Sequence, residues 1–175
     1  MLKAAVVGAT GYTGEELVRI LAGHPKVKLV SLTAKIEKPE KIQKLSCGLL
    51  GRIDMMCGLP DAEKAASLAE FVFLALPHRV SMETAPVFLK HNKRVIDLSA
   101  DYRLAKDVYG KWYGAVHKDS HGLKIAVYGL PELYRKKIKD ARLIANPGCY
   151  PTSIILGLAP VLKNGFGDSS LIISD

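Results

Sequence analysis

The feature that most constrains the fold of this chain is a short apolar run that ends in a glycine-rich turn near its start. The run Leu2–Val7 is nearly continuous, which is typical of a strand buried on both faces of a sheet. Apolar residues at helical spacing follow in EELVRILAG, and Val27–Thr33 then has the pattern of a second strand. A strand, a glycine turn, a helix and a strand within about 30 residues predict a βαβ unit, whose crossover is right-handed.

The same alternation of strands and helices continues along the rest of the chain. Further strands are predicted at Phe71–Pro77, at Arg94–Ser99 and in RLIAN, and the terminal LIISD begins like another. Helices are predicted in DAEKAASLAE, in SMETAPVFLKHN from Ser81, in PELYRKKIK and after the turn at NPGCYPT. The segment 100–129 is expected to be loop-rich, with one short strand at Ile125–Val127. The predicted fold class is therefore α/β, a Rossmann-type doubly wound parallel sheet.

The motif GATGYTG places three glycines between the first strand and the first helix. Gly8 permits the tight turn, Gly11 lets a pyrophosphate approach the backbone, and Gly14 lets the helix pack against the strand. The phosphates would then lie against free N–H groups at the positive end of the helix. A glycine-rich turn needed only for packing is the alternative, but the flanking strand and helix favour a dinucleotide site.

The end of the second strand indicates which dinucleotide is bound. NAD-binding units usually carry an acidic residue there, about 20 residues beyond the glycines, that holds the ribose 2′-hydroxyl. Here the strand ends in SLTAKIEK, with no acidic residue from Ser31 to Lys35. Thr33, Lys35 and Lys38 could instead bind a 2′-phosphate. We therefore predict NADP(H) as the cofactor.

A second strand-to-helix turn, NPGCYPT, holds a cysteine between two prolines. Pro147 and Gly148 force a sharp turn, and Pro151 suits the first position of the following helix. Cys149 is therefore expected at the N-terminus of that helix, where the dipole and the unpaired amides favour a thiolate. A small buried core cysteine is the alternative.

The two turns together suit one reaction. A thiolate can hold an acyl group as a thioester, and the amides at a helix N-terminus can hold the oxyanion that forms on the attacked carbonyl. A nicotinamide can deliver hydride to that thioester. Together they would interconvert an acyl phosphate and an aldehyde.

Composition argues against a secreted protein, a metal-binding protein and a membrane protein. The chain has 175 residues, a hydrophobic fraction of 49% and three cysteines without a CxxC pattern, which indicates a reduced cytoplasmic protein without a metal site. No signal-peptide pattern opens the chain. The longest apolar run, Ile154–Leu162, is about half of the roughly 20 residues needed to span a bilayer.

The net charge of +8 comes partly from basic clusters at Lys35–Lys44 and Arg135–Lys139. Such clusters can bind nucleic acid. Acidic residues interrupt the first cluster, however, and no aromatic residues are interleaved with either one. Solvated helix faces are the better interpretation, and neither a nucleic-acid nor a membrane partner is expected.

Six motifs occur in a characteristic order: GATGYTGEELVRIL, FVFLALPH, VIDLSADYRL, WYG, AVYGLPEL and LIANPGCYPT. From Val6 to Pro160 the chain resembles the N-acetyl-gamma-glutamyl-phosphate reductases of arginine biosynthesis, which are related to the aspartate-semialdehyde dehydrogenases. The resemblance implies that Cys149 attacks the γ-acyl phosphate substrate, phosphate leaves, and NADPH reduces the thioester to N-acetylglutamate semialdehyde. The alternatives are the analogous N-acetyl-aminoadipyl-phosphate reductase of lysine biosynthesis and a dinucleotide-binding module without chemistry.

The resemblance also implies individual binding residues. Arg103 of SADYRL is the candidate for an anionic group of the substrate, with a structural salt bridge as the alternative. His78 and His117 are expected to be hydrogen-bonding structural residues, with a catalytic role as the alternative for each. Ala34 replaces a hydroxyl that could help to bind a cofactor phosphate. With Thr33 and Lys35 included, the predicted cofactor-binding residues are Gly8, Thr10, Gly11, Tyr12, Thr13, Gly14, Thr33, Lys35, Leu76, Pro77 and His78.

Two domains are expected. Residues 1–148 would form the NADP-binding domain, and residues 149–175 would begin a truncated α+β catalytic and dimerisation domain. The resemblance places the acid/base histidine, much of the substrate pocket and the subunit interface of a homo-oligomer after Asp175. The chain is thus expected to be an N-terminal fragment that is inactive alone.

Overall fold

The computed structural model describes residues 1–166. Within that range eight strands form a single sheet: β1 (Leu2–Val7), β2 (Val27–Thr33), β3 (Glu40–Lys41), β4 (Met56–Gly58), β5 (Phe71–Leu74), β6 (Arg94–Asp97), β7 (Ala126–Tyr128) and β8 (Leu143–Ala145). The same range contains eight α-helices: α1 (Tyr12–Ala22), α2 (Ile42–Leu45), α3 (Ala62–Leu68), α4 (Ser81–Lys90), α5 (Lys106–Tyr113), α6 (Ser120–Ile125), α7 (Pro131–Asp140) and α8 (Cys149–Lys163).

The sheet is doubly wound. Its strand order is β3-β4-β2-β1-β5-β6-β8-β7, and every neighbouring pair is parallel except β3 with β4. The order runs outward in both directions from β1 and β5, so the winding reverses between these two strands. This confirms the predicted fold class and adds one short antiparallel strand at an edge. The parallel strands bring the turns after β1, β5, β6 and β8 to the same edge of the sheet.

Apolar clusters cover both faces of the sheet. Successive residues of a strand point to opposite faces, and in β1 both sets are buried: Ala5 and Val7 pack in one cluster and Val6 packs in the other. The first cluster includes Phe88 of α4, and the second includes Val18 of α1. Burial on both faces explains the apolar run of β1.

The segment 100–129 contains more helix than its sequence predicts. It forms α5 and α6 as well as β7. Tyr109 of α5 is completely buried, and Asp119 caps α6 by accepting a hydrogen bond from the Gly122 amide at 2.8 Å. The loop prediction was wrong because burial of Tyr109 stabilises a helix whose own sequence forms only a weak periodic pattern.

Several predicted boundaries also shift. The strands predicted at Phe71–Pro77 and Arg94–Ser99 end earlier, at Leu74 and Asp97, because the residues that follow form the turns at the carboxyl edge. The strand predicted at Ile125–Val127 is β7, which begins one residue later. The strand predicted in LIISD lies outside the described residues.

The last helix, α8, differs from α1 in its packing. It begins at Cys149 and not at Pro151, because Gly148 already has the extended conformation of an N-cap residue. None of its residues is buried, although apolar side chains such as Ile154 and Val161 occur along it. Across residues 1–166, no helix combines the length and the apolar character that a membrane span requires.

Candidate active site

The structure explains differently why glycine occurs at each of the three positions in the first turn. Gly8 has a φ of 92°, and a Cβ there would lie 2.2 Å from the carbonyl oxygen of Ala75. A Cβ on Gly14 would lie 2.0 Å from the carbonyl oxygen of Gly8. Gly11 has a φ of −77°, which any residue can adopt, and a Cβ there would approach only the oxygen of Gly8, at 3.8 Å. Packing therefore requires glycine at two of the three positions, and Gly11 borders open space.

The N-terminus of α1 offers three backbone donors. Gly11 is the N-cap residue and makes no side-chain cap. The amides of Tyr12, Thr13 and Gly14 have no hydrogen-bond acceptor within residues 1–166. An anion bound there would meet free N–H groups at the positive end of an 11-residue helix.

The glycine turn is attached to the end of β2 through backbone hydrogen bonds. The amides of Gly8 and Ala9 donate to the carbonyl oxygen of Thr33, at 2.8 and 3.0 Å. The side chain of Thr33 is buried, and its Oγ1 has no partner within the described part of the chain. Sequence reasoning assigned Thr33 a side-chain role and missed this backbone role, because a backbone acceptor leaves no side-chain pattern.

A cleft lies between the glycine turn and the carboxyl ends of β2, β5 and β6. Its volume is about 410 Å³, and its walls are formed by Gly8, Thr10, Gly11, Tyr12, Thr13, Ala34, Lys35, Ala75, Leu76, Pro77 and Leu98. An adjoining, mainly apolar cavity of about 510 Å³ shares five of these residues: Gly8, Ala34, Lys35, Leu76 and Pro77.

Most of the predicted cofactor-binding residues meet at this cleft. Thr33 borders only the adjoining cavity, and neither Gly14 nor His78 is a lining residue of either one. The exposed Lys35 borders both cavities, so its ammonium group is available at the end of β2 where a 2′-phosphate is expected.

The cysteine turn follows β8 at the same edge of the sheet. Cys149 is exposed and is the first residue of the 15-residue helix α8. The amides of Cys149 and Tyr150 have no acceptor among the described residues, and Pro151 has no N–H to donate. A negative charge on the cysteine sulfur would thus lie beside the positive end of a helix.

Arg103 connects the cysteine turn to the end of β6. Its Nε donates to the carbonyl oxygen of Asn146 and its Nη2 to that of Leu98, both at 2.7 Å. Its Nη1 would lie 3.1 Å from a Cβ on Gly148, so the guanidinium is adjacent to the residue before Cys149. Arg103 forms no ion pair within residues 1–166, so the salt-bridge alternative has no partner there.

The two predicted structural histidines both accept hydrogen bonds from the backbone. His78 Nδ1 accepts from the amide of Ala100 at 3.0 Å. His117 is buried, and its Nδ1 accepts from the amide of Asp119 at 3.1 Å. The ring of His117 also packs edge-on against Tyr109, with 5.2 Å between the centroids. The His78 contact links the loop after β6 to the turn after β5, and the ring contact of His117 links the segment between α5 and α6 to α5.

Two buried carboxylates, one at the end of β6 and one in the loop after it, were not identified from the sequence. Asp97 accepts from the amide and the hydroxyl of Ser99, at 3.2 and 2.8 Å. Burial raises the pKa of Asp97 above its ordinary value. Asp101 is also completely buried and accepts three hydrogen bonds, from the amides of Arg79 and Met82 and from the hydroxyl of Tyr109. Asp101 belongs to the motif SADYRL, and this motif is the sequence feature from which Asp101 could have been identified.

The described residues show no group of three or more histidine, cysteine, aspartate or glutamate side chains placed to hold a metal ion. Cys47 is exposed and Cys57 is buried, and neither forms a disulfide.

Comparison with known proteins identifies a family and a fold. Residues 3–141 match the family model described as "Semialdehyde dehydrogenase, NAD binding domain". Two curated relatives are named "N-acetyl-gamma-glutamyl-phosphate reductase": one from Nitrosococcus oceani is 47% identical over 176 residues, and one from Geotalea daltonii is 49% identical over 177 residues. Each comparison covers 100% of this chain and 51% of the relative. The chain therefore spans about half the length of the curated relatives it matches.

Solved structures with low sequence identity share the fold. The structure of aspartate semialdehyde dehydrogenase with NADP from Candida albicans has a TM-score of 0.71 and 16% identity, and it covers 94% of this chain and 47% of that chain. Aspartate semialdehyde dehydrogenase II from Vibrio cholerae has a TM-score of 0.62 and 16% identity, covering 94% of this chain and 43% of that chain.

Proposed function

Because the chain belongs to the semialdehyde dehydrogenase family through its NAD-binding domain, we propose that it carries the coenzyme site and the nucleophile of an NADPH-dependent acyl-phosphate reductase. The proposed substrate is N-acetyl-gamma-glutamyl phosphate, in accordance with the names of the curated relatives. The products are N-acetylglutamate semialdehyde and phosphate.

The observation that carries the coenzyme proposal is the surroundings of Gly11. Packing within the chain does not require glycine at this position, yet a side chain there would project beside three free amides at the start of α1. A pyrophosphate placed against those amides would need the space that a Cβ would fill. The residues present therefore fit a dinucleotide.

The preference for NADPH is supported by the end of β2. Lys35 is exposed at the border of both cavities, and no acidic residue lies between Ser31 and Lys35 to repel a 2′-phosphate. A ribose 2′-phosphate at the shared boundary of the two cavities would lie beside this lysine, although Asp61 also borders the apolar cavity. The solved structure from Candida albicans carries NADP.

The proposed chemistry begins at Cys149. Its thiolate attacks the acyl carbon, an S–C bond forms, and the C–O bond to phosphate breaks as phosphate leaves. The free amides of Cys149 and Tyr150 can hold the oxyanion formed during attack. Arg103, whose Nη1 lies beside Gly148, can hold the anionic phosphate.

NADPH, when bound, would supply the hydride that reduces the thioester carbonyl; the C–S bond would then break, which would release the Cys149 thiolate and the semialdehyde. The fold supports this sequence of steps by placing both turns at one edge of the sheet. Two strands, β5 and β6, separate β1 from β8, so the turns lie three strand spacings apart, or about 14 Å.

We propose a domain boundary between Gly148 and Cys149, with residues 1–148 forming the dinucleotide-binding domain. Support comes from α8, which buries none of its residues although Ile154, Val161 and Leu162 are apolar and exposed. A helix of this character is ordinarily covered. In a protein as long as the curated relatives, the second domain would supply the acid/base residue, the rest of the substrate pocket and the interface of a homo-oligomer. The free cysteines suit a cytoplasmic protein.

The test is a titration of the chain with NADPH and with NADH, repeated on Gly11→Ala. We expect NADPH to bind more tightly than NADH, and Gly11→Ala to weaken NADPH binding by about 10- to 100-fold because the added methyl group displaces the pyrophosphate. The melting temperature of Gly11→Ala should remain close to that of the wild type, since its Cβ meets only an ordinary contact. Failure of the wild type to bind either dinucleotide would overturn the proposal.

A further inference from the structure

We propose that Asp101, supported by Tyr109, is a positioning residue for the coenzyme cleft: its buried carboxylate holds the turn Pro77–Val80, which forms the wall next to the glycine turn. The inference rests on the proposed function, because this cleft is the dinucleotide site proposed above. Asp101 itself does not line either cavity.

The turn between β5 and α4 contains two features that are unfavourable when unsupported. Arg79 has a φ of 75°, although it is not a glycine, and this left-handed conformation is unfavourable for a residue with a side chain. The helix α4 begins at Ser81, and its N-cap residue Val80 provides no side-chain cap. The free amides of the first helical turn therefore need an acceptor from elsewhere.

Asp101 supplies both missing contacts. Its Oδ1 accepts from the amide of Arg79 at 2.8 Å, and its Oδ2 accepts from the amide of Met82 at 3.0 Å. The carboxylate lies at the positive end of a 10-residue helix, where a negative charge is favourable. One side chain, 22 residues further along the sequence, thus holds the left-handed residue and caps the helix.

The helix α5 supports the same turn from a second side. The hydroxyl of Tyr109 donates to Asp101 Oδ1 at 2.8 Å. The guanidinium of Arg79 donates through Nη2 to the carbonyl oxygen of Tyr113 at 2.6 Å. The rings of Tyr109 and Tyr113 are stacked, with 4.8 Å between their centroids. Within residues 1–166 no cation forms an ion pair with Asp101, so amides, the hydroxyl and the helix dipole balance its charge.

Residues in and next to this turn line the two cavities. Leu76 and Pro77 border both cavities, and Val80 borders the apolar one. Relaxation of the turn would move these side chains relative to the neighbouring Gly8, where a Cβ would lie only 3.5 Å from Leu76 Cδ2. The cysteine turn would not follow, because Arg103 holds it through the separate bond to Asn146. Loss of the Asp101 contacts should therefore weaken coenzyme binding and leave the reactivity of Cys149 unchanged.

The experiment compares Asp101→Asn and Tyr109→Phe with the wild type, with Tyr134→Phe as the matched control because Tyr134 lies on α7 and its hydroxyl makes no hydrogen bond among the described residues. Three properties are measured below the melting temperature: the NADPH dissociation constant, the amide hydrogen exchange of residues 76–84, and the rate at which iodoacetamide alkylates Cys149.

We expect Asp101→Asn to raise the NADPH dissociation constant about tenfold, as befits the loss of a charged hydrogen-bond acceptor. Tyr109→Phe should raise it about threefold, since the carboxylate remains. In both variants exchange at residues 79 and 82 should accelerate while alkylation of Cys149 stays constant. If Asp101→Asn does not fold, Tyr109→Phe provides the same test.

Unchanged NADPH affinity in variants with faster exchange would overturn the positioning role alone. A parallel loss of NADPH affinity, Cys149 reactivity and melting temperature would overturn it as well, since it would show a general structural role. Absence of NADPH binding by the wild type would overturn the proposed function, and this inference with it.

Discussion

The glycine turn and the cysteine turn have N-cap residues with nearly the same backbone conformation, but they differ in the functional groups that they present. Both helices start after an extended glycine N-cap without a side-chain cap, Gly11 with φ −77° and ψ 161° and Gly148 with φ −72° and ψ 163°. The first helix leaves three amides free beside a cleft. In the second, Pro151 removes one donor and Cys149 adds a nucleophile. The same helix terminus can thus serve anion binding or covalent chemistry, depending on the residues in its first turn.

The two turns also differ in what holds them in place. The glycine turn is bound by the backbone, through the Thr33 carbonyl oxygen. The cysteine turn is bound by the backbone as well, since the amide of Asn146 donates to the carbonyl oxygen of Asp97 at 2.8 Å, and it is bound in addition by the side chain of Arg103, which donates to the carbonyl oxygen of Asn146. The first helix buries Gly14, Val18 and Leu21, whereas the second buries none of its residues. The first helix is therefore part of the core, whereas α8 lies on its surface.

The largest expected effect tests the packing of the first helix. Gly14→Ala would place a methyl carbon 2.0 Å from the carbonyl oxygen of Gly8, which should lower the free energy of unfolding by about 3 kcal/mol or more. The matched control is Gly157→Ala in α8, where an added Cβ meets nothing within 4 Å. That change should be neutral or stabilising by up to about 1 kcal/mol. Urea unfolding followed by circular dichroism measures the free energy of unfolding of both variants. Equal changes in the two variants would contradict the difference in packing between α1 and α8.

The next effect tests the cysteine turn through alkylation by iodoacetamide near neutral pH. Cys149 should react about tenfold faster than the exposed Cys47, because its side chain lies beside free amides at the N-terminus of a 15-residue helix. It should react at least about 100-fold faster than Cys57, which must first be exposed by local opening. Burial also raises the pKa of the Cys57 thiol. Peptide mass spectrometry gives the three rates. Equal, slow labelling of all three would favour a dinucleotide-binding module without chemistry.

A smaller effect tests the specificity of the glycine-turn cleft. Lys35→Ala should weaken NADPH binding by about fivefold to tenfold, because it removes a charged partner of the 2′-phosphate. NADH binding should not change, since NADH has no phosphate at that position. Lys28→Ala is the charge-matched control, because Lys28 is exposed near the amino end of β2. Calorimetric titration measures the affinities of the wild type and both variants for NADPH and for NADH. If Lys35→Ala weakened NADH binding as much as NADPH binding, Lys35 would not contact the 2′-phosphate.

The smallest effect concerns β6, which lies between the strands that carry the two turns. Burial raises the folded-state pKa of Asp97, so the folded protein retains its proton to a higher pH than the unfolded chain does. The contribution of this group to stability therefore falls as pH rises from its ordinary value through the raised pKa. In Asp97→Asn this contribution is absent.

The free energy of unfolding of Asp97→Asn minus that of the wild type should accordingly increase with pH across this window. Urea midpoints at several pH values between 4 and 7 measure the difference. A difference that stays constant with pH would show that the folded and unfolded states hold this proton equally.

Much of the fold could be predicted from local patterns. One βαβ unit contains the apolar run of β1, the glycine turn and the helical spacing of α1. The structure of these segments could be predicted because it does not depend on residues far away in the sequence. The same holds for the position of Cys149 at the start of a helix, although the proline pattern placed that start two residues too late. The region of α5 was missed because its Tyr109 is buried by contacts that its own segment does not encode.

The sequence by itself determined the alternation of strands and helices, the two glycine-capped helix starts and the residue types available at each. Steric and hydrogen-bonding rules within a few residues are sufficient for these features. Only the tertiary structure decided that the Thr33 carbonyl oxygen holds the glycine turn, that Arg103 holds the cysteine turn, and that Asp101 caps a helix which begins 20 residues before it. These contacts join segments far apart in the chain, and they form only when the parallel sheet brings the carboxyl ends of its strands to one edge.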